Sequence, residues 1–118
     1  MKKEIKDTVT KEETFDRLDI RIGRVIGIEE VLAPKKAYKM RLDFGRFGIK
    51  TSVGRFTQHA IDELIGQSVI AVLNFAPRNM GDTVSEVLVL GVQYPKAASG
   101  EASIVSPLAS AKIGGKLF

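Results

Sequence analysis

From Tyr38 to Phe44 the chain alternates without a fault. Tyr38, Met40, Leu42 and Phe44 hold one phase; Lys39, Arg41 and Asp43 hold the other. Side chains on a strand point to opposite faces in turn, so this pattern describes a strand with one face in a core and one in water. Gly45-Arg46-Phe47-Gly48 then turns the chain, and Ile49-Lys50-Thr51-Ser52-Val53 reads as the hairpin partner. Any fold for this chain has to be built outward from that hairpin.

Two other stretches also read as strands, buried on both faces. Ser68-Val69-Ile70-Ala71-Val72-Leu73 is apolar on both phases and rich in β-branched residues, and Ser85-Glu86-Val87-Leu88-Val89-Leu90-Gly91 is apolar at nearly every position. Between them, Ala76 to Val84 carries turn chemistry: Pro77, Asn79, Gly81 and Asp82, with Arg78 among them. Upstream, residues 1–9 read as a flexible N-terminus. Thr10-Lys11-Glu12-Glu13 fits a capping box, which predicts a short helix through about Arg17 anchored by Phe15 and Leu18. A long first strand follows, with Leu18, Ile20, Ile22, Ile26 and Ile28 in one phase and bends expected at Gly23 and Gly27. Thr57 is placed to cap a helix over Gln58 to Ile65, with Ile61, Leu64 and Ile65 as its buried stripe and Gly66 as its stop. Pro95 to Gly100 reads as a surface loop, Ile104-Val105 as one more short strand, and Leu108, Ile113, Leu117 and Phe118 as an apolar tail. The expected fold is all-β with short helices. It is a five-stranded OB-fold barrel over residues 10–118, with one helix between strands three and four, a short N-terminal helix and a C-terminal extension.

With 118 residues the chain is one domain. It has no cysteine, so disulfides and thiolate metal sites are excluded and a reducing, cytoplasmic setting is expected. Lys2-Lys3 is followed by no apolar h-region, and no apolar run approaches the ~20 residues of a membrane span, so neither a secretory signal nor membrane insertion is expected. The formal charge of +4 is concentrated: Lys35 to Arg55 holds seven basic residues and one acid, a net of +6, which leaves −2 for the rest. That window is the second and third strands, the hairpin nearest the binding surface of an OB-type barrel. A local excess of this kind suits a polyanion; it also suits a solvated strand face that discourages edge pairing.

Asn74-Phe75-x-Pro77-Arg78 followed by Ser85-Glu86-Val87-Leu88-Val89-Leu90-Gly91 resembles the tRNA-binding domain of the CsaA type. That family includes the C-terminal domain of bacterial methionyl-tRNA synthetase and free-standing tRNA-binding proteins. Leu18-Asp19-Ile20-Arg21-x-Gly23, Asp43-Phe44-Gly45, Gly48-Ile49-Lys50-x-Ser52 and Gly114-Gly115-Lys116-x-Phe118 also match, and the resemblance runs from about Phe15 to the end. It implies an OB-fold homodimer that binds tRNA or a similar structured RNA. CsaA-type members are also described as export-related chaperones for unfolded precursor proteins, which would bind in apolar grooves at the dimer seam and make the secretion machinery a further partner. Leu88 stands where the synthetase-linked relatives have a methionine that helps hold RNA, and of their Asp-Lys pair in the first loop only Lys36 carries over.

The candidate RNA-binding residues are Lys36, Lys39, Arg41, Lys50, Asn74, Arg78 and Ser85. Lys39, Arg41 and Lys50 are expected to face outward and meet phosphates. Arg78 either forks onto phosphate or a base edge, or pins its loop through Glu86 or Asp82. Asn74 and Ser85 either bond a nucleotide or satisfy buried backbone. Phe47, in its glycine-bracketed turn, is the candidate for base stacking, whereas Phe56 reads as core. Phe15, Ile113, Leu117 and Phe118 are the candidates for a dimer interface. His59 is the single histidine, and neither it nor the adjacent pairs Glu12-Glu13 and Glu29-Glu30 form a metal site or an acid–base pair. No phosphate loop or nucleophile elbow is present. The expectation is a binding protein with no cofactor, no metal and no catalysis.

Overall fold

A computed structural model describes residues 4–95 and 100–118. Its strands are β1 (Ile20–Leu32), β2 (Lys36–Asp43), β3 (Ile49–Gly54), β4 (Ser68–Val72), β5 (Arg78–Met80), β6 (Thr83–Ser85), β7 (Leu88–Val89), β8 (Gly91–Gln93) and β9 (Ala102–Ile104), with one helix, α1 (Ile61–Leu64), between β3 and β4. Five strands make one antiparallel sheet in the order β3-β2-β1-β4-β7; β5–β6 and β8–β9 are separate hairpins. The sheet curls until its ends meet. The amides of Glu86 and Val87 donate to the Thr51 carbonyl at 2.9 and 3.1 Å, and that of Val89 donates to Ser52 Oγ at 3.3 Å. The expected mostly β, five-stranded OB-type architecture is borne out, with its seam held by these bonds rather than by a ladder.

The core follows from β2. Tyr38, Met40, Leu42 and Phe44 are all buried, as their phase demands, and pack with Val25, Phe56, Leu64, Val69, Ala71, Val87 and Val89. A second, smaller cluster lies elsewhere: Ala33, Ala37 and Val53 pack with Val31 and Met80.

Four local expectations change. The N-terminal helix is a single 3-10 turn, Phe15–Arg17. Thr10 does accept the Glu13 amide at 3.2 Å, but Leu18 is already extended and swings the chain into β1. In β1 the apolar phase slips. Val25 faces Leu42 and Gly27 faces Arg41, so Ile26 is a bulge residue turned outward while Val25 takes the core position. Ser85 to Gly91 is not one strand buried on both faces. It breaks where the Glu86 and Val87 amides turn to Thr51, which leaves Glu86 and Leu88 exposed. Thr57 does not cap α1; it donates to Glu101, and Glu63 reaches back to the Ala60 amide at 3.0 Å instead. The helix is one turn long, with only Leu64 buried and Ile61 and Ile65 exposed. Gly66, at φ +88°, ends it as expected. Of the expected loop Pro95–Gly100, residues 96–99 lie outside the described residues, as do residues 1–3 of the expected flexible N-terminus.

The C-terminal segment docks along the edge of β1. Ile22 N donates to Gly115 O at 3.0 Å, Gly114 N to Ile22 O at 2.8 Å, and Leu117 N to Ile20 O at 3.0 Å. Gly114 has φ +81°, and a Cβ there would stand 2.7 Å from the Phe44 carbonyl oxygen, so the segment can lie this close only with glycine.

Candidate nucleic-acid interface

Directly opposed residues of an antiparallel pair share a face. Arg41 lies between Gly27 of β1 and Thr51 of β3, and Lys39 between Glu29 and Val53. Lys39 and Arg41 therefore stand on the outer wall of the sheet, as expected. Gly27, with no side chain, leaves an open hollow beside them, lined also by Ile28, Glu29 and Thr51. Neither cation has an ion pair or side-chain hydrogen bond among the described residues.

Lys50 departs from the expectation. It pairs with Leu42, which is fully buried, so it belongs to the inward phase and is half-buried near the strand's start. Lys36 also lies in the Tyr38 phase, opposite to Lys39, and its ammonium meets Glu30 at 3.3 Å. The +6 window is thus shared between two faces rather than gathered on one.

The outer wall continues through Val53 into a cleft of about 200 Å³. Phe75, Met80, Val87 and Leu88 give it an apolar lining, and Arg78 stands among them. Arg78 begins β5, pairs across the hairpin with Ser85, and has no ion pair with Glu86 or Asp82. Glu86 is occupied otherwise: its Oε1 accepts from Thr51 N at 2.9 Å and Thr51 Oγ at 3.0 Å. Thr51, Val53, Phe75 and Met80 were not singled out from the sequence. The signal available was the period of two in β3, which puts Thr51 and Val53 on one face.

Asn74 and Ser85 hold the frame. Asn74 accepts from the Asp19 amide at 2.7 Å and donates to Arg17 O at 2.9 Å, tying the N-terminal turn to the end of β4. Ser85 Oγ accepts from Val53 N at 3.0 Å and donates to Val87 O at 2.9 Å in a buried position at the cleft wall. Ser85→Ala should leave a buried amide without its partner and cost about 1–3 kcal/mol. A urea denaturation midpoint unchanged from wild type would contradict this.

Phe47 is half-buried against the core. The Arg21 guanidinium lies 4.2 Å from its ring centroid and that of Arg46 lies 5.2 Å away, so the ring expected to meet a base already carries cations. Phe15, Ile113 and Leu117 are half-buried within the chain, whereas Phe118 is fully exposed.

A family model described as "Putative tRNA binding domain" matches residues 20–116. The chain belongs to that family. The chain is 35% identical over 105 residues, 89% of its length, to the methionine–tRNA ligase of Methanoculleus marisnigri, of which it spans 15%. Among solved structures it is similar to the chaperone CsaA of Bacillus anthracis, at a TM-score of 0.84 and 34% identity, and to that of Picrophilus torridus, at 0.82 and 33%. Each comparison covers 94% of this chain and 100% of the other.

Proposed function

We propose that the chain is a non-catalytic, cytoplasmic tRNA-binding protein that works as a homodimer. The observation that carries the reading is the outer wall itself. Lys39 and Arg41 stand together with no ion pair among the described residues, and the surface runs on through Val53 to Arg78, which has none there either. Phosphates on Lys39 and Arg41 would set affinity and register; the apolar cleft beside Arg78 would receive an unstacked base. Asn74 and Ser85 shape the site through the backbone they hold, and Lys36 and Lys50 add charge from the other face. The proposed dimer interface draws on Phe118, which is fully exposed, and on the half-buried Phe15, Ile113 and Leu117. Two walls on one ligand raise avidity.

The apolar lining of the same cleft favours a second reading, a chaperone for unfolded precursor proteins that passes them to the secretion machinery. Salt separates the two. Bulk tRNA should bind with an affinity that falls steeply between about 50 and 200 mM salt, because counterions released from phosphates are recaptured. An unfolded precursor held by apolar contacts should show little salt dependence. Filter binding with both ligands, with sedimentation equilibrium on the same sample, reads the ligand and the dimer together. A salt-independent affinity for the precursor and none for tRNA would replace the first reading by the second.

A further inference from the structure

At the turn end of the β2–β3 hairpin, away from the wall, lies an open cleft of about 350 Å³. Arg21, Arg46, Lys112 and Lys116 line it together with Phe47 and the Gly114-Gly115 backbone, and none of its lining residues is acidic. It shares no residue with the wall or with the cleft at Arg78.

Arg21 is held in place for the role. Its side chain is only 18% exposed; Nε donates to Asp19 Oδ1 at 2.7 Å and Nη1 to Gly114 O at 3.1 Å, while Phe47 supports the guanidinium plane. The rest of its donor fork is unpaired among the described residues. Arg46, Lys112 and Lys116 are exposed and have neither ion pair nor side-chain hydrogen bond there. One rigid, largely desolvated guanidinium with three exposed cations beside it suits a compact anion of more than one charge. The rigid group has little freedom left to lose on binding, and its partial burial weakens solvent screening.

We propose that this cleft is a separate phosphate-binding site, for phosphates of a bound RNA or for those of a free phosphate ester. It uses none of the side chains proposed to meet tRNA; of its lining only Ile113 recurs, in the proposed dimer interface.

The probe is inorganic pyrophosphate, titrated at low salt and followed by amide NMR. Saturable shifts are expected at Arg46, Gly114 and Gly115. The double variant Lys112→Gln, Lys116→Gln removes two exposed charges without touching a side-chain bond. It should weaken pyrophosphate binding about three- to tenfold, while Arg41→Ala should leave it unchanged. If the double variant also weakens tRNA binding, RNA phosphates occupy the cleft. If tRNA affinity is unaffected, the ligand is a free phosphate ester. If wild type binds pyrophosphate here and fails to bind tRNA, the tRNA reading falls and this one stands. Absence of saturable shifts at these residues, or an equal affinity in the double variant, would overturn the inference.

Discussion

Phe44→Ala is expected to destabilise the protein by about 3–5 kcal/mol, a large part of what a domain of this size has in total. The ring is fully buried at the end of β2 and fills the space above Gly23 of β1. A Cβ on Gly23 would come within 2.5 Å of Phe44 Cε1, so the two positions are matched in shape. Gly23→Ala alone should therefore cost about 1–3 kcal/mol by overpacking. In the Phe44→Ala background the added methyl would enter the void, and its cost should largely vanish. Urea denaturation of the four proteins gives this coupling directly. Strictly additive losses would show that Phe44 and Gly23 do not share one packing site.

Removing Lys39, Arg41 and Arg78 together should abolish most tRNA affinity. Each phosphate contact contributes about 0.9 to the slope of log affinity against log salt, so losing three should flatten the slope by about 2.7 units. At about 0.1 M salt this is a loss of two decades or more in affinity. Lys50→Ala, on the inward phase, should change the slope far less. None of the four side chains has a bonded partner among the described residues, so the variants should remain folded, which circular dichroism checks. A triple variant with the wild-type slope would place the RNA elsewhere on the molecule.

Much of the fold was legible in β2, because one face of that strand is core and the other is water, so residue type reports direction. The same logic failed in β1. Val25, Ile26 and Ile28 are all apolar, and nothing in their chemistry says that Ile26 is the bulge residue. Ser85 to Gly91 failed for a related reason: an apolar run does not reveal where its amides turn aside to Thr51. Within the site, Lys39 and Arg41 were readable from their own strand. The side on which Lys50 emerges depends on hairpin register, which the turn sets and a count of charges ignores. The cleft at Phe47 was invisible for a different reason. Arg21 and Gly114 are 93 residues apart in sequence, and Arg21, Lys112 and Lys116 all lie outside the basic window.

The C-terminal segment takes over the edge of β1 at Ile20 and Ile22, where β2, paired from Arg24 onward, has left it. On the opposite edge the same residues are paired with β4. An extended peptide seeking a template by strand addition would find no vacant donors or acceptors along this stretch. Recognition near it has to proceed through side chains, and an aggregating neighbour is refused the same foothold.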